Sequence, residues 1–243
     1  MEYFSQSFDN ALSRTIAEKL LENILSGELR PGDKVVESVY ADQFNTSRSP
    51  VREAIYLLST EGLIERVPRK GAFIKGYTID DVRDLLDVRN HLEMLAADRI
   101  KEPHEQKSLL DEMKAVLKKM ESCKTQIDYT HANYEFHFIL VKLSGSPVLT
   151  EMYSKIALPL LRIQVIHFSR ERMIEKSIQE HKTIYELLKG NEMDELKTIL
   201  RKHTEDAIHS VRKQLLGGRA IEDSLSISGA GVAVSGVFGW PAR

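Results

Sequence analysis

The chain has very little cysteine and no long apolar run, and each absence excludes a class of protein. Cys123 is the single cysteine among 243 residues, which excludes an intrachain disulfide and a cysteine-rich zinc site. No apolar run approaches the roughly 20 residues that a membrane-spanning helix needs. The N-terminal residues also lack the basic-then-apolar order of a signal peptide. We therefore expect a folded, cytoplasmic protein.

The net charge of the whole chain is also small, at −2, but one segment carries an excess of positive charge. From Thr46 to Gly76 six basic residues stand against three acidic ones, which gives this segment a net charge of +3. Nucleic-acid binding requires a basic surface rather than a basic chain. The segment is therefore a candidate DNA-binding surface.

Three helical patterns open the chain. Apolar residues recur with the helical period over 12–26, and Gly27 ends that helix. A second, shorter helix begins near Ser38, after which Asn45 can adopt the left-handed conformation that a sharp turn requires. A third helix follows and runs to Gly62. This order predicts a helix-turn-helix.

The third helix has a clear start and is followed by a change of pattern. Ser49 can cap it with Pro50 at the first helical position, and Ser47 is an alternative cap slightly earlier. Two extended runs then follow, Leu63–Val67 and Ala72–Lys75, joined by a basic tip. They predict a small β-hairpin, which is the wing of a winged helix-turn-helix.

The rest of the chain is helical in pattern from Thr78 to Leu216. We expect one bundle of about six helices, one of which runs unbroken from Pro147 to Phe168. The fold class is therefore mainly α, with an N-terminal winged helix-turn-helix and an all-α bundle. The expected segments are an N-terminal arm (1–11), the winged domain (12–76), the helical domain (77–216) and a flexible tail (217–243).

A helix that reads DNA carries short polar groups and arginines in its first turns, since these face bases and phosphates. Arg48 and Arg52 are four residues apart, so they share a face, and either can donate two hydrogen bonds to a guanine. Arg69 and Lys70 at the hairpin tip can reach the adjacent groove. The alternative is that these cations pair with acidic residues such as Glu53. The candidate DNA contacts are Ser47, Arg48, Ser49, Arg52, Arg69, Lys70 and Gly71.

Three of the eight histidines lie on core-facing helical stripes. His137 follows Asn133 by one turn, and His181 and His203 lie on two later helices. An imidazole in a core needs partners for its nitrogens, and three that converge in a bundle suit a divalent metal. From spacing alone, a metal site and separate hydrogen-bonded histidines are equal alternatives. The remaining histidines lack partner spacing: His91, His104, His131, His167 and His209.

Several motifs over residues 12–76 together resemble the DNA-binding domain of the GntR family. They are Leu29–Asp33, Ser47–Ala54, Glu61–Ile64 and Gly71. The resemblance implies DNA contacts from the start of the third helix and from the wing. It also implies a homodimer on a palindromic operator in double-stranded DNA.

Residues 78–216 resemble the ligand-binding domain of the FadR-like branch of that family, called FCD, and the length resembles its six-helix, VanR-type subgroup. There an aspartate and three histidines bind a metal, and the pattern falls here on Asn133, His137, His181 and His203. The resemblance implies a divalent ion, zinc first, with nickel or manganese as alternatives. Asn133 replaces the usual aspartate, so we expect weaker binding or a different metal.

The resemblance also implies a small organic-acid effector beside the metal. Arg89 matches the arginine of the family pattern and can bind a carboxylate bidentately. The alternative for Arg89 is an internal ion pair with Glu93, four residues later.

The leading hypothesis is thus a transcription regulator, in this family more often a repressor, whose operator affinity the effector controls. A metal-dependent hydrolase that uses the three-histidine site is the alternative, although Glu135 points away and no base is identifiable. A third hypothesis is an architectural DNA-binding protein whose metal is only structural.

Overall fold

The computed structural model describes residues 11–169 and 171–226, which form two compact units, one ending at Thr78 and one beginning at Ile79. Most of the predicted arm (1–11) and the tail beyond residue 226 lie outside the described residues. No described helix is both long enough and apolar enough to cross a membrane.

The first unit combines three helices with a small antiparallel sheet. Its strand order is β1-β3-β2, and the predicted wing is the β2–β3 hairpin, in which Ile64 faces Ile74 and Val67 faces Gly71. Strand β1 was not predicted, because two residues are too few to show a period. The elements are α1 (Ala11–Ser26), β1 (Lys34–Val35), α2 (Glu37–Gln43), α3 (Arg48–Thr60), β2 (Ile64–Val67) and β3 (Gly71–Ile74).

The turn between α2 and α3 contains the predicted left-handed residue, but α3 begins earlier than predicted. Asn45 has a φ of 47°, and the Thr46 amide donates to the Ala41 carbonyl at 2.9 Å. Helix α3 begins at Arg48, so the prediction of Ser49 as the cap is wrong. Ser47, its alternative, occupies the N-cap position with extended backbone, but its side chain makes no capping hydrogen bond. Pro50 is tolerated within the first turn, because amides there have no intrahelical partner.

The core of the first unit lies between α1 and α3. Ile16 and Leu20 of α1 and Val51 and Leu58 of α3 are completely buried. Leu63, just before β2, is buried with them and ties the sheet to the helices. Each helix buries one face, so the opposite face of α3 is left to solvent.

The second unit is all helical. Helix α6 lies at its centre, packed against α4, α5, α7 and α8, while α10 packs against α4, α8 and α9. Buried residues occur all round α6 and α8, so polar side chains on either helix enter the core. A 3₁₀ turn at Pro103–Gln106 precedes α5. The helices are α4 (Ile79–Ala97), α5 (Lys107–Ser122), α6 (Gln126–Lys142), α7 (Pro147–Lys155), α8 (Ala157–His167), α9 (Glu171–Gly190) and α10 (Met193–Ser226).

Two predicted helix limits are wrong in this unit. The helix expected over 147–168 is interrupted at Ile156, so the described part of the unit has seven α-helices rather than about six. Pro159 is the reason, because a proline in mid-helix lacks an amide and clashes with the preceding turn, whereas it is tolerated in a first turn. Helix α10 also continues ten residues past its expected end at Leu216.

Candidate functional site

The predicted DNA contacts are all exposed on the first unit. Ser47 precedes α3, Arg48 and Ser49 open it, and Arg52 follows one turn after Arg48 on the same face. Tyr56, which was not predicted, extends this exposed face by another turn. The face is polar and basic, as base and phosphate contacts require.

Arg52 forms an ion pair with an acidic residue, but that residue is Glu37 and not Glu53, which the sequence suggested. Its Nε donates to Oε2 of Glu37 on α2 at 2.8 Å, while the side chain remains 65% exposed. Glu53 instead accepts a hydrogen bond from the Ser13 hydroxyl at 2.6 Å. Glu37 therefore orients Arg52 across the turn of the helix-turn-helix.

The wing tip carries Arg69, Lys70 and Gly71 at the surface. Gly71 has a φ of 113°, and an added Cβ would lie 3.1 Å from Lys34 Cε, so the hairpin itself requires glycine here. Arg66 on β2, next to the wing tip, has its guanidinium carbon 5.9 Å from the ring centroid of Tyr56, which connects the wing to the exposed face of α3.

In the second unit, α6, α9 and α10 bring His137, His181 and His203 together. One side-chain nitrogen from each lies within 4.8 Å of the others, and the three residues are at most 4% exposed. The three ring centroids are 4.9 to 5.3 Å apart. The histidine cluster is thus one buried constellation rather than three separate core residues.

An acceptor beside each imidazole faces its Nδ1 atom. Glu93 Oε1 lies 3.1 Å from Nδ1 of His137, an ion-pair distance without hydrogen-bond geometry, and the Ser177 carbonyl lies 2.5 Å from Nδ1 of His181. Glu180 Oε2 lies 2.6 Å from Nδ1 of His203. For His181 and His203 the acceptor at Nδ1 favours the proton there and leaves the lone pair on Nε2. The Nε2 atoms of His137 and His181 lie 2.9 Å apart, the distance of a hydrogen bond that Nε2–H of His137 can donate to the lone pair of His181. A metal ion bound by both nitrogens would take the place of that proton.

Asn133 contributes a further polar group on the same face of α6 as His137. It is completely buried, and neither its amide oxygen nor its amide nitrogen has a hydrogen-bond partner among the described residues. A buried amide without partners is costly, so the residue suits a role as an oxygen ligand. The residues present therefore fit a metal with three nitrogen ligands and one uncharged oxygen ligand.

Arg89 forms the internal ion pair that sequence analysis gave as its alternative role. Its Nε donates to Glu93 Oε1 at 2.8 Å, and the Tyr153 hydroxyl donates to the same oxygen at 2.9 Å. Arg89 is 2% exposed, yet its Nη2 has no partner, and neither has Glu93 Oε2. The Arg89–Glu93 pair thus touches the histidine cluster through His137 and keeps one guanidinium nitrogen available.

Burial determines the protonation of this network. It lowers the pKa of His137 to about 3, reinforced by the positive charge of Arg89, and places the pKa of His181 well below its ordinary value. Burial alone would raise the pKa of Glu93, but Arg89 and His137 together hold it well below its ordinary value. At neutral pH the carboxylate is charged and both imidazoles are neutral, the form that binds metals.

Two family models match the two units in order. Bacterial regulatory proteins of the gntR family match residues 12–74, and the FCD domain matches residues 84–206, half of the chain. The protein belongs to the GntR family and carries an FCD domain. The FCD match also agrees with the FadR-like branch expected from sequence.

Relatives of this GntR regulator are transcription regulators. The regulator LutR of Bacillus subtilis is 29% identical over 185 residues, covering 67% of this chain and 84% of its own. The gluconate operon transcriptional repressor of Bacillus licheniformis is 34% identical over 124 residues, 51% of this chain and 48% of its own.

The fold is shared with a solved GntR regulator from Rhodococcus sp. RHA1, at a TM-score of 0.72 and 20% identity, over 83% of this chain and 98% of that one. The predicted fold class is therefore confirmed. The protein is a DNA-binding transcription regulator of the GntR type with an FCD domain, and none of these comparisons supports the hydrolase hypothesis.

Sequence analysis missed one residue that supports the histidine cluster of this GntR regulator and the burial of another histidine. Glu180 directly precedes His181, yet its carboxylate contacts His203 on the next helix, a contact that spacing does not reveal. His167 was grouped with the histidines without partners, but it is buried, and its Nδ1 has no hydrogen-bond partner. Its position on α8, a helix with apolar residues on all sides, was the available signal.

Buried neutral histidines make the stability of the metal-free protein depend on pH. The pKa values of His137 and His167 fall from 6.5 to about 3 on folding, so below pH 6.5 the unfolded chain takes up protons that the folded chain does not. Stability is complete above pH 6.5 and is lost as pH falls toward 3. Each histidine contributes up to about 1.4 kcal/mol per pH unit.

We expect this slope in urea unfolding of chelator-treated protein between pH 7 and pH 5, a window in which the wild type and the variants share the same carboxylates. His167→Gln should reduce the slope by one histidine's share. His91→Gln, which alters an exposed histidine, should leave it unchanged. Equal slopes for the wild type and His167→Gln would contradict the assignment of His167 as buried and neutral.

Proposed function

We propose that this GntR regulator binds a palindromic operator as a homodimer and that a small carboxylate effector, bound beside a divalent metal, controls its operator affinity. The observation that carries the effector site is the shared oxygen of Glu93, which links Arg89 to His137 of the histidine cluster. The VanR-type subgroup is part of the proposal, with α7 and α8 counted as one interrupted helix.

His137, His181 and His203 would hold the metal through Nε2, and Asn133 through its amide oxygen. When bound, the metal supplies positive charge that attracts an anion. Because Asn133 brings no charge, the four ligands together are neutral. An anionic effector would then offset part of the positive charge of the metal, as the aspartate does elsewhere in the family. Zinc is the first candidate, ahead of nickel and manganese.

Arg89 would bind the effector carboxylate through its unpartnered Nη2. Glu93 engages only Nε, so the guanidinium is oriented without being saturated. The two roles considered for Arg89 are then compatible, because its ion pair with Glu93 positions the guanidinium group that contacts the effector. Effector binding then changes the fit of the two winged helices to the operator half-sites, which couples the two sites.

An apolar stripe on α4 supports the homodimer. Leu85, Val88, Leu92 and Leu95 recur at intervals of three and four residues, the heptad spacing of helices that pair. Val88 and Leu95 are 47% and 41% exposed, and the other two are half-buried. A second copy of α4 is the occupant that we propose for this stripe.

We expect Val88→Glu to convert the dimer to a monomer, because it places a charge in the apolar stripe. Sedimentation velocity at micromolar concentration measures the change. Ala115→Glu, on the exposed face of α5, is the matched control and should remain dimeric. If Val88→Glu also sediments as a dimer, the interface lies elsewhere.

His181→Ala should lower both bound metal and the stabilisation that added metal provides, since a ligand that binds only the folded state raises the melting temperature. Elemental analysis of purified protein and thermal unfolding with and without zinc measure both quantities. His91→Ala, an exposed histidine, is the control. Unchanged metal content in His181→Ala would contradict the ligand assignment.

Operator binding is tested by affinity selection of sheared genomic DNA on the purified protein at physiological salt, followed by sequencing. We expect enrichment of a short palindrome. Arg52→Ala should then weaken binding to that palindrome by about 1–3 kcal/mol if Arg52 contacts a base. Arg212→Ala removes an exposed arginine of α10 and should have no such effect. Equal losses in both variants would mean that Arg52 has no specific role.

A further inference from the structure

Glu180 on α9 lies between the histidine cluster and the surface of the second unit. Its Oε2 accepts a hydrogen bond from Nδ1 of His203 at 2.6 Å. Its Oε1 lies 3.5 Å from Nζ of Lys176, which in turn lies 2.6 Å from Oδ2 of Asp206 on α10. The side chain of Glu180 is 15% exposed and that of His203 is 4% exposed, so their hydrogen bond is shielded from water. One ammonium and two carboxylates leave these charged side chains with an excess of negative charge.

The other two imidazoles of the cluster have no comparable source of negative charge. Nδ1 of His181 faces neutral groups, the carbonyl and hydroxyl oxygens of Ser177. For the imidazole on α6, Glu93 lies at ion-pair distance, but its carboxylate also pairs with the equally buried guanidinium of Arg89 at 2.8 Å, which offsets the charge. Among the described groups at the three Nδ1 atoms, Glu180 is therefore the one that brings an excess of negative charge.

A divalent cation in this cluster would need negative charge nearby. The four proposed ligands, three neutral imidazoles and the amide oxygen of Asn133, bring none. A carboxylate that accepts the Nδ1 proton of a ligating histidine makes the Nε2 atom more basic, and it also fixes the tautomer and the orientation of the ring. Through His203, Glu180 can thus provide the charge that an aspartate at position 133 would provide directly.

We propose that Glu180 is a positioning residue for the metal and that, through His203, it supplies the negative charge that Asn133 does not. This inference rests on the proposed metal site and deepens it. Glu180 does not contact the metal, because its carboxylate holds the nitrogen of His203 on the far side of the ring from Nε2. If charge is what Glu180 contributes, its carboxylate should matter less once the ligand on α6 is itself charged.

The test measures the zinc affinity of the full-length protein, after removal of bound metal, by competition with a chromophoric chelator. Glu180→Gln keeps an oxygen that can accept the hydrogen bond from His203 but removes the charge. We expect it to weaken zinc binding by about 10–100-fold, the range for loss of such a partner. Glu175→Gln removes an exposed carboxylate from the same helix, so it is the matched control and should bind zinc like the wild type.

A second background separates the effect of charge from that of packing. In the Asn133→Asp protein, the same Glu180→Gln substitution should weaken zinc binding by less than about threefold, because the ligand on α6 then supplies the charge. A purely structural role of Glu180 predicts an equal loss in both backgrounds. Thermal unfolding of the metal-free proteins verifies that each variant folds.

Lys176→Met keeps the test decisive if Glu180→Gln does not fold. Lys176 is an exposed residue, and its removal leaves Glu180 in place without the cation that offsets part of its charge. Zinc binding should therefore become tighter, the opposite of the change expected for Glu180→Gln. Unchanged or weaker binding in Lys176→Met would count against a role of charge.

The outcomes distinguish the two levels of inference. If Glu180→Gln binds zinc as tightly as the wild type, or loses the same factor in both backgrounds, the role of Glu180 is overturned and the proposed metal site stands. If the wild type binds none of zinc, nickel and manganese, the metal site itself is wrong, and the inference fails with it.

Discussion

The second unit depends on one buried oxygen, Oε1 of Glu93. The Arg89 guanidinium and the Tyr153 hydroxyl both donate hydrogen bonds to it, and Nδ1 of His137 lies 3.1 Å away at ion-pair distance. A carboxylate removed from water is costly unless it is paired and hydrogen-bonded, so these contacts are what permit the charge to remain in the core. They also join α4, α6 and α7 at one point, which fixes the orientation of His137 relative to the other two cluster histidines.

Several buried polar atoms around this oxygen have no hydrogen-bond partner among the described residues. Unpaired buried atoms occur on Asn133, Arg89, Gln164 and Thr204, all on helices that pack around the histidine cluster. Such atoms lower stability, and a sequence selected for stability alone would replace them with apolar side chains. Their concentration around the cluster is what the proposed metal and effector site would produce, since a bound ligand would provide the missing partners.

Periodicity and turn residues were enough to predict most of the fold, because a helix with one buried face shows its period in the sequence. The helix-turn-helix, the wing and the convergence of His137, His181 and His203 follow from such patterns and from the resemblance. Strand β1 is too short to show a period, and the break at Ile156 depended on a proline within a continuous apolar run. Glu180 was missed for a different reason, since its contact joins neighbouring helices at positions 23 residues apart.

The charge distribution limits how the first unit can recognise DNA. The chain as a whole is slightly acidic, and Glu37 offsets part of the charge of Arg52, so the local excess of +3 leaves few cations for phosphates. Affinity from counterion release grows with the number of phosphates contacted, hence a single winged helix of this charge binds non-specific DNA weakly. In the proposed homodimer, two copies on adjacent half-sites would double the contacts, and base recognition would supply the remainder. Under that proposal operator binding depends on dimerisation, and a change in the helical unit that alters half-site fit would be enough to control it.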